Sequence, residues 1–241
     1  MDSSMYVALS AQVALERRLD TIAQNVANLG TVGYRADEVR FESVLSNAGS
    51  DSTAFVSSGD TFISRRAGAL TATDNKLDVA VQGDGWFAIN TPSGTVYTRD
   101  GRMRMLESGE LQTLNGYSIL DVGHAAISLD PTAGPPNIAR DGMITQHGQQ
   151  VGAIGLFRID EATKLNRFEN SGVMPEGNAS EILDFSTNGV VQGFVEEANV
   201  NPISEISKLI AVTRAFEAAS STIQTSDETA QAAIKTLGDT T

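Results

Sequence analysis

Residues 19–35 read LDTIAQNVANLGTVGYR. An apolar helical stripe runs into two asparagines, two glycines three residues apart, and an aromatic. Leu15, Leu19, Ile22, Val26 and Leu29 recur at spacings of four, three, four and three, a heptad seam and not the alternation of a strand. The pattern predicts a helix over roughly 3–28, with Ala8 and Ala11 adding small helix-favouring positions. It is expected to end where Asn28 and Gly30 supply residues that tolerate positive φ, and Gly33 lets the chain turn again before Tyr34. An isolated helix of this length is marginal in water. Burying each Leu, Ile or Val of the seam contributes roughly 1.5–3 kcal/mol, and only if a partner covers it.

Within the chain, the candidate partner lies at the other end. From about Pro202 to Leu237, the residues Leu209, Val212, Phe216, Ala219, Ile223, Ser226, Ala230, Ala233 and Leu237 repeat at three and four. Asn201 suits the N-cap, Pro202 the first helical position and Gly238 the stop. The far end of this seam is built of Ala and Ser, so another helix can approach closely there. The two ends therefore pair with each other, with other copies, or with both.

Between them, turn signals fall at Gly83-Asp84-Gly85, Ser93-Gly94, Asp100-Gly101, Ser108-Gly109 and Asn115-Gly116. The intervening WFAI, TVYT and YSIL are strand-like. LQTLNGYSIL reads as a hairpin with a two-residue turn, and Asn188-Gly189 as a second such turn. The fold class expected is α+β, with the N- and C-terminal helices pairing as a coiled-coil-like inner domain around which the chain adds a central antiparallel β-rich domain. The boundaries expected are 1–35 with 199–241 for the helical part, 36–63 for an extended Ser-rich connector, and 64–198 for the β-rich domain.

Composition narrows the function. The 241 residues carry a net charge of −13, and the ends are close to neutral, so the negative charge lies in 41–198. An acidic body without a Lys/Arg cluster argues against nucleic acid and anionic membrane surfaces as partners. No cysteine is present, which removes disulfides, thiolate nucleophiles and Cys-based zinc sites. MDSSMYVALSAQVALERR lacks the basic start and apolar core of a secretory leader, and no stretch approaches the length of a membrane span.

Catalytic signals are weak. His124 and His147 have no metal-ligand spacing, and neither a Gly-x-Ser-x-Gly elbow nor a phosphate loop occurs. Gly83-Asp84-Gly85 precedes a strand, not a helix N-terminus, and reads as a turn. The acidic pairs Glu181/Asp184 and Glu196/Glu197 have the residue types for acid–base work on a sugar, but nothing places them across a cleft. Trp86, the sole tryptophan, reads as a core aromatic. No enzyme activity, cofactor or metal is expected.

The helix followed by AQNVANLGTVGYR resembles the opening of bacterial flagellar rod and hook proteins, with Asn25, Asn28, Thr31, Gly33, Tyr34 and Arg35 fitting residue by residue. Leu29-Gly30 and Tyr34 are small departures, standing where many members carry polar residues and Phe. LDVAVQGDGWFAI (77–89) and YTRDGRMRMLESGELQTLNGYSIL (97–120) are similar to the β-domain signature of the same family. NVNPISEISKLIAVTRAFEAASSTIQTSDETAQAAIKTLG (199–238) resembles its C-terminal helix, with Arg214, Ala215, Phe216 and Glu217 in the most recognisable block. Three matches in the right order make the signal specific, and the short length fits a rod subunit better than the hook.

The resemblance implies a structural, non-enzymatic subunit of the periplasm-spanning basal-body rod, exported by the flagellar type III apparatus without a cleaved signal peptide. Its partners would be other copies of itself and neighbouring rod proteins. The assembly residues would be Leu15, Leu19, Ile22, Asn25, Val26, Asn28, Thr31, Gly33 and Tyr34 at one end, and Leu209, Val212, Arg214, Phe216, Glu217 and Ile223 at the other. Phe41, Val44 and Leu45 match an export-gate recognition element, or else anchor the connector. The rival reading is a soluble β-rich binding module or glycan hydrolase whose terminal helices form a private hairpin.

Overall fold

Helix α1 spans Ser3–Ala27 and helix α2 spans Pro202–Gly238, in a computed structural model that describes residues 3–41, 43–46, 53–57 and 59–238. The chain divides into two units. The first holds Met1–Ala27, Asp37–Phe62 and Asn201–Thr241; the second holds Asn28–Ala36 and Ile63–Val200.

In the first unit α1 and α2 pack against each other. The start of α2 follows the sequence signal: the Ser204 N–H donates to Asn201 Oδ1 at 3.1 Å and the Glu205 N–H to the Asn201 carbonyl at 3.0 Å. Residues 36–63, expected as a connector, carry four short strands. β1 (Asp37–Arg40) pairs with β4 (Asp60–Ile63), and β2 (Ser43–Ser46) pairs antiparallel with β3 (Thr53–Val56). The Asn25 side chain fixes β1 to α1 through two bonds to one residue. Its Nδ2 donates to the Asp37 carbonyl and its Oδ1 accepts from the Asp37 N–H, each at 2.9 Å. Arg17 Nη1 donates to the Gly59 carbonyl at 2.9 Å.

The end of α1 differs from expectation. Neither Asn28 nor Gly30 adopts positive φ; the left-handed residue is Gly33, at φ 70°. The chain leaves the helix through consecutive turns, Thr31 N–H to Asn28 carbonyl at 3.0 Å and Tyr34 N–H to Thr31 carbonyl at 3.2 Å. The Thr31 hydroxyl donates to Asn28 Oδ1 at 3.0 Å. The helix thus ends in consecutive turns and not through the positive φ that Asn28 and Gly30 were expected to supply.

The second unit is β throughout. Its strands are β5 (Leu70–Ala72), β6 (Val79–Gln82), β7 (Trp86–Thr91), β8 (Gly94–Thr98), β9 (Met103–Met105), β10 (Leu111–Thr113) and β11 (Ser118–Ile119). They continue with β12 (Asn137–Ile138), β13 (Met143–Gln146), β14 (Gln149–Ala153), β15 (Leu156–Ile159), β16 (Leu165–Phe168) and β17 (Gly172–Pro175). Last come β18 (Ala179–Glu181), β19 (Gly189–Gln192) and β20 (Phe194–Glu196). The main sheet runs β16-β17-β8-β7-β11-β10-β9, with β15 pairing both β7 and β18. β12–β14 form a meander, while β19 pairs with β6 and β20 with β5, all antiparallel.

Strand β7 explains its own composition. Phe87 and Ile89 enter a cluster with Val79, Val96, Leu111, Ile119 and Leu156. Trp86 and Ala88 point the other way, into a cluster with Tyr97, Phe157, Ile159 and Val173. Both faces of the strand are buried, so WFAI is continuously apolar instead of alternating.

Two turn readings need correction. In LQTLNGYSIL, Gln112 lies opposite Ser118, so the loop has three residues, 114–116, and not two. The Gly116 N–H closes a turn onto the Thr113 carbonyl at 3.0 Å, Gly116 takes φ 90°, and Thr113 Oγ1 accepts the Tyr117 N–H at 3.1 Å. This is a turn followed by a left-handed glycine, the next most common hairpin after the two-residue form. Asn188-Gly189 is not a hairpin turn at all. Buried Asn188 accepts the Asp84 N–H on its Oδ1 at 3.0 Å, and Gly189 opens β19, where a Cβ would meet Arg140 Cγ at 2.6 Å. Close packing, not chain reversal, requires that glycine.

Gly33 carries two constraints together: its φ is 70°, and a Cβ there would sit 2.3 Å from the Asp100 nitrogen. Gly94 carries only the first, with φ 102° and open space around it. Gly33→Ala is expected to lose more than the roughly 1–2 kcal/mol of left-handed strain, whereas Gly94→Ala loses strain alone. Urea denaturation followed by Trp86 fluorescence measures the difference; equal losses would show that the close approach at Asp100 carries no energy.

Candidate assembly site

The predicted helix seam divides by burial. On α1, Ile22 and Asn25 are buried and Leu15, Leu19 and Val26 half-buried, with Ala14 widening the covered stripe. On α2, Val212 is buried and Phe216, Ala219, Ile223 and Ser226 are half-buried, continuing at four, three, four and three. Leu209, by contrast, is exposed, as are Arg214 and Glu217. Leu29 lies beyond the end of α1.

A second apolar stripe is left open. On α2, Ile203, Ile206 and Ile210 are exposed at three- and four-residue spacing, Ile203 to 78%. On α1, Met5, Tyr6, Leu9 and Val13 are each exposed to between 43% and 50%. The sequence shows apolar residues on both stripes; only burial says which is satisfied. Glu205 is the reverse case, a buried carboxylate in the first turn of α2 that faces Lys208 Nζ at 2.6 Å. Its charge also suits the positive end of the helix dipole.

The motif residues after α1 are interior supports. Asn28, Gly33, Tyr34 and Arg35 are buried, Tyr34 fully, with the Arg167 guanidinium 4.5 Å from the centre of its ring. Arg167 Nη2 also donates to the Arg35 carbonyl at 2.5 Å. Thr31 is half-buried. Of the export-gate candidates, Phe41 is half-buried and Val44 and Leu45 lie on β2 opposite Phe55 and Ala54; the side chains of Val44 and Leu45 fall outside the described residues.

Arg35 leads to a group that sequence reading misassigned. Glu196, weighed as an acid–base candidate, is 1% exposed and sits between two arginines. Its Oε1 lies 2.7 Å from Arg35 Nη2 and accepts the Gly68 N–H at 2.9 Å; its Oε2 accepts Arg99 Nη1 at 3.1 Å. Arg99 Nη2 reaches the Gly83 carbonyl at 2.7 Å and Arg35 Nη1 the Arg65 carbonyl at 3.2 Å. Both guanidiniums stand over the Trp86 ring, at 5.6 and 5.1 Å. Burial, and then repulsion from Arg99, bring the Arg35 pKa down to about 10, so Arg35 still carries its charge at neutral pH, while burial also lowers that of Arg99. Both oxygens of this carboxylate are thus engaged inside the core and away from solvent. The sequence offers Glu196 and Glu197 in VEEANVN and arginines at 35 and 99 in the other motifs, but no spacing rule joins them.

The same unit has an open cleft of about 600 Å³ lined by Asp84, Asp160 and Glu161 together with Arg65, Arg99 and Arg158. Its carboxylates are opposed by as many guanidiniums, and no histidine, serine or threonine lines it. Among the described residues, no acid and histidine group is arranged to hold a metal ion, and no helix is long and apolar enough to cross a membrane.

Three family models match along the chain. Residues 5–35 match the flagella basal body rod protein family, 80–146 the flagellar hook protein FlgE/F/G D1 domain, and 191–236 the flagellar basal body rod FlgEFG protein C-terminal family. The chain is 51% identical to the flagellar basal-body rod protein FlgF of Mesorhizobium japonicum and 45% identical to that of Rhizobium meliloti, each over 99% of both chains. It is 31% identical to the flagellar basal-body rod protein FlgG of Bacillus subtilis, over 95% of this chain and 96% of that one. With two helices joined through a β unit by the matched motifs, and FlgF likeness over its length, this chain belongs to the FlgF family of flagellar basal-body rod proteins.

Proposed function

We propose that the chain is a structural subunit of the basal-body rod that joins other copies of itself and neighbouring rod proteins through its terminal helices. The observation that carries this reading is the open apolar stripe of Ile203, Ile206 and Ile210 on α2, with Met5, Leu9 and Val13 on α1. Apolar residues at helical spacing are stable in water only when covered, and the packing of α1 on α2 leaves these uncovered. A stripe covered by a different surface of the next molecule gives a head-to-tail contact, which builds an open helical assembly when the rotation does not close. Coiled-coil-like packing of the helices among subunits then forms the inner layer of a shaft that carries torque.

In α2 beyond Ser226, the side chains of Asp227, Glu228, Thr229, Gln231, Ala232 and Ile234 are all exposed. This end gains its burial from neighbours, and the small Ala and Ser positions allow close approach. Before assembly, the ordering cost there has nothing to offset it. The Asn25, Asn28, Thr31, Gly33 and Tyr34 group acts in this reading by fixing the chain beside the helices, and Arg214 and Glu217 by meeting neighbours directly. Phe41, Val44 and Leu45 serve the type III export apparatus. The backbone of Val44 and Leu45 is paired with β3, so recognition requires the unfolded chain. Delivery by that route places the subunit in the periplasm-spanning rod without a cleaved signal peptide.

The rival reading, a private helical hairpin on a binding module, accounts for the contact between α1 and α2. It leaves the second stripe without a purpose, and the charge-balanced cleft beside Trp86 offers no general acid and base pair.

The two readings separate on the exposed stripe. Ile206→Asp with Ile210→Asp is expected to change the monomer's stability by no more than about 0.5 kcal/mol per site, yet to abolish motility and self-association in sedimentation. Normal swimming by that variant would defeat the proposal. Ile22→Pro, which breaks α1, is expected to abolish motility while a fragment-like β-unit signal from Trp86 persists. Dilute subunit should show less helix by circular dichroism than the 25 and 37 residues of α1 and α2 supply, with helicity rising on polymerisation. Full helicity at high dilution would remove disorder-to-order assembly from the mechanism.

A further inference from the structure

We infer that the cleft beside Trp86 binds a short zwitterionic peptide, one that presents a free ammonium and a free carboxylate together. The site belongs to the β unit alone and does not depend on the rod reading. It adds to the assembly role of the helices and does not replace it.

The cleft holds about 600 Å³, within the roughly 300–1,000 Å³ of small-molecule sites. Opposite charges lining one space are expected to close on each other. Here they do not: among the described residues, no ion pair joins any two of the cleft's carboxylates and guanidiniums. Two of the arginines are held by other groups. Arg65 Nη1 donates to the Ile159 carbonyl at 3.0 Å and Nη2 to the Thr163 carbonyl at 2.7 Å. Arg99 is drawn inward by Glu196 and the Gly83 carbonyl. Arg158, exposed on β15, gives its guanidinium hydrogens to none of the described residues; Asp184 stands within electrostatic reach without pairing.

The carboxylates are kept apart in the same way. Asp160 Oδ1 accepts the Ala162 N–H at 2.8 Å, while the exposed carboxylates of Asp84 and Glu161 accept no bond from the described residues. Glu161 and Asp160 lie within electrostatic reach of Arg65, and Asp84 within reach of Arg99. Charges that sense each other yet stay unpaired leave both signs open to a ligand that carries both. An anion alone would be repelled by the three acids, and a cation alone by the three arginines. A zwitterion meets neither penalty. Its carboxylate pairs with Arg158, whose planar fork suits two parallel bonds, and its ammonium with Asp84 and Glu161. Arg99 favours the same ligand: it lines the cleft at 3% exposure, and its Nε donates to no acceptor. Buried donors are nearly always bonded, so a donor left over on this wall suits a ligand with an acceptor.

The test is calorimetric titration of the full-length chain with three peptides. Triglycine carries both charges, N-acetyl-triglycine only the carboxylate, and triglycine amide only the ammonium. Triglycine is expected to bind saturably, and each blocked peptide at least about tenfold more weakly. Arg158→Gln is expected to weaken triglycine about tenfold and leave the amide unchanged; Glu161→Gln is expected to weaken triglycine and leave the acetylated peptide unchanged. Both side chains are exposed, so neither substitution threatens the fold. The site is overturned by the lack of saturable triglycine binding up to about 10 mM. Equal affinity for all three peptides overturns it too, as does triglycine binding that neither variant alters.

Discussion

One carboxylate shared by two guanidiniums sets the terms for the β unit. Glu196 cannot leave without exposing two buried cations to each other. The fold meets this demand with fixed dipoles. The Gly68 N–H faces the acid, the Gly83 and Arg65 carbonyls face the arginines, and the electron-rich face of Trp86 lies beneath both. Because Arg35 follows α1 and Glu196 precedes α2 in the chain, the same ion pair brings together the segments from which the two helices depart.

Several glycines follow from that closeness. At Gly68 a Cβ would lie 1.9 Å from the Glu197 carbonyl oxygen, and at Gly101 it would lie 1.7 Å from that of Val79. At these places backbone passes backbone with no space for a side chain. A β unit drawn this tightly buries both faces of its central strand. The helical unit obeys different physics. Its seam is largely buried or half-buried, its second stripe is not, and the described side chains from Asp227 to Thr236 are exposed. In the first case the apolar faces are covered from within the unit; in the second, Ile203, Ile206 and Ile210 stay exposed.

That difference explains why a structural role and not a catalytic one fits the residues. The acid that sequence offered for proton transfer is neutralised in the core, and the cleft beside it balances each carboxylate with a guanidinium. Membership of the FlgF family of rod proteins accords with a structural role. A helix face has no motif of its own beyond periodicity, which is why Leu209 was grouped with the seam although it lies on the exposed side.

Local sequence determined the elements whose causes are local. Heptad spacing gave both helices, Asn201-Pro202 the start of α2, and the Gly-containing dipeptides most of the chain reversals. The family motifs, being long and ordered, identified the protein without any structure. Tertiary structure decided what depends on partners distant in sequence. It put the left-handed residue after α1 at Gly33 and not at Asn28 or Gly30, made Asn188-Gly189 a packing site and not a turn, and turned Glu196 from an exposed-looking acid into the centre of a buried ion pair. It also separated two apolar stripes that look alike as letters. The physical reason is the same in each case: periodicity and turn chemistry are properties of neighbouring residues, whereas burial and charge pairing belong to residues that meet only when the chain has folded.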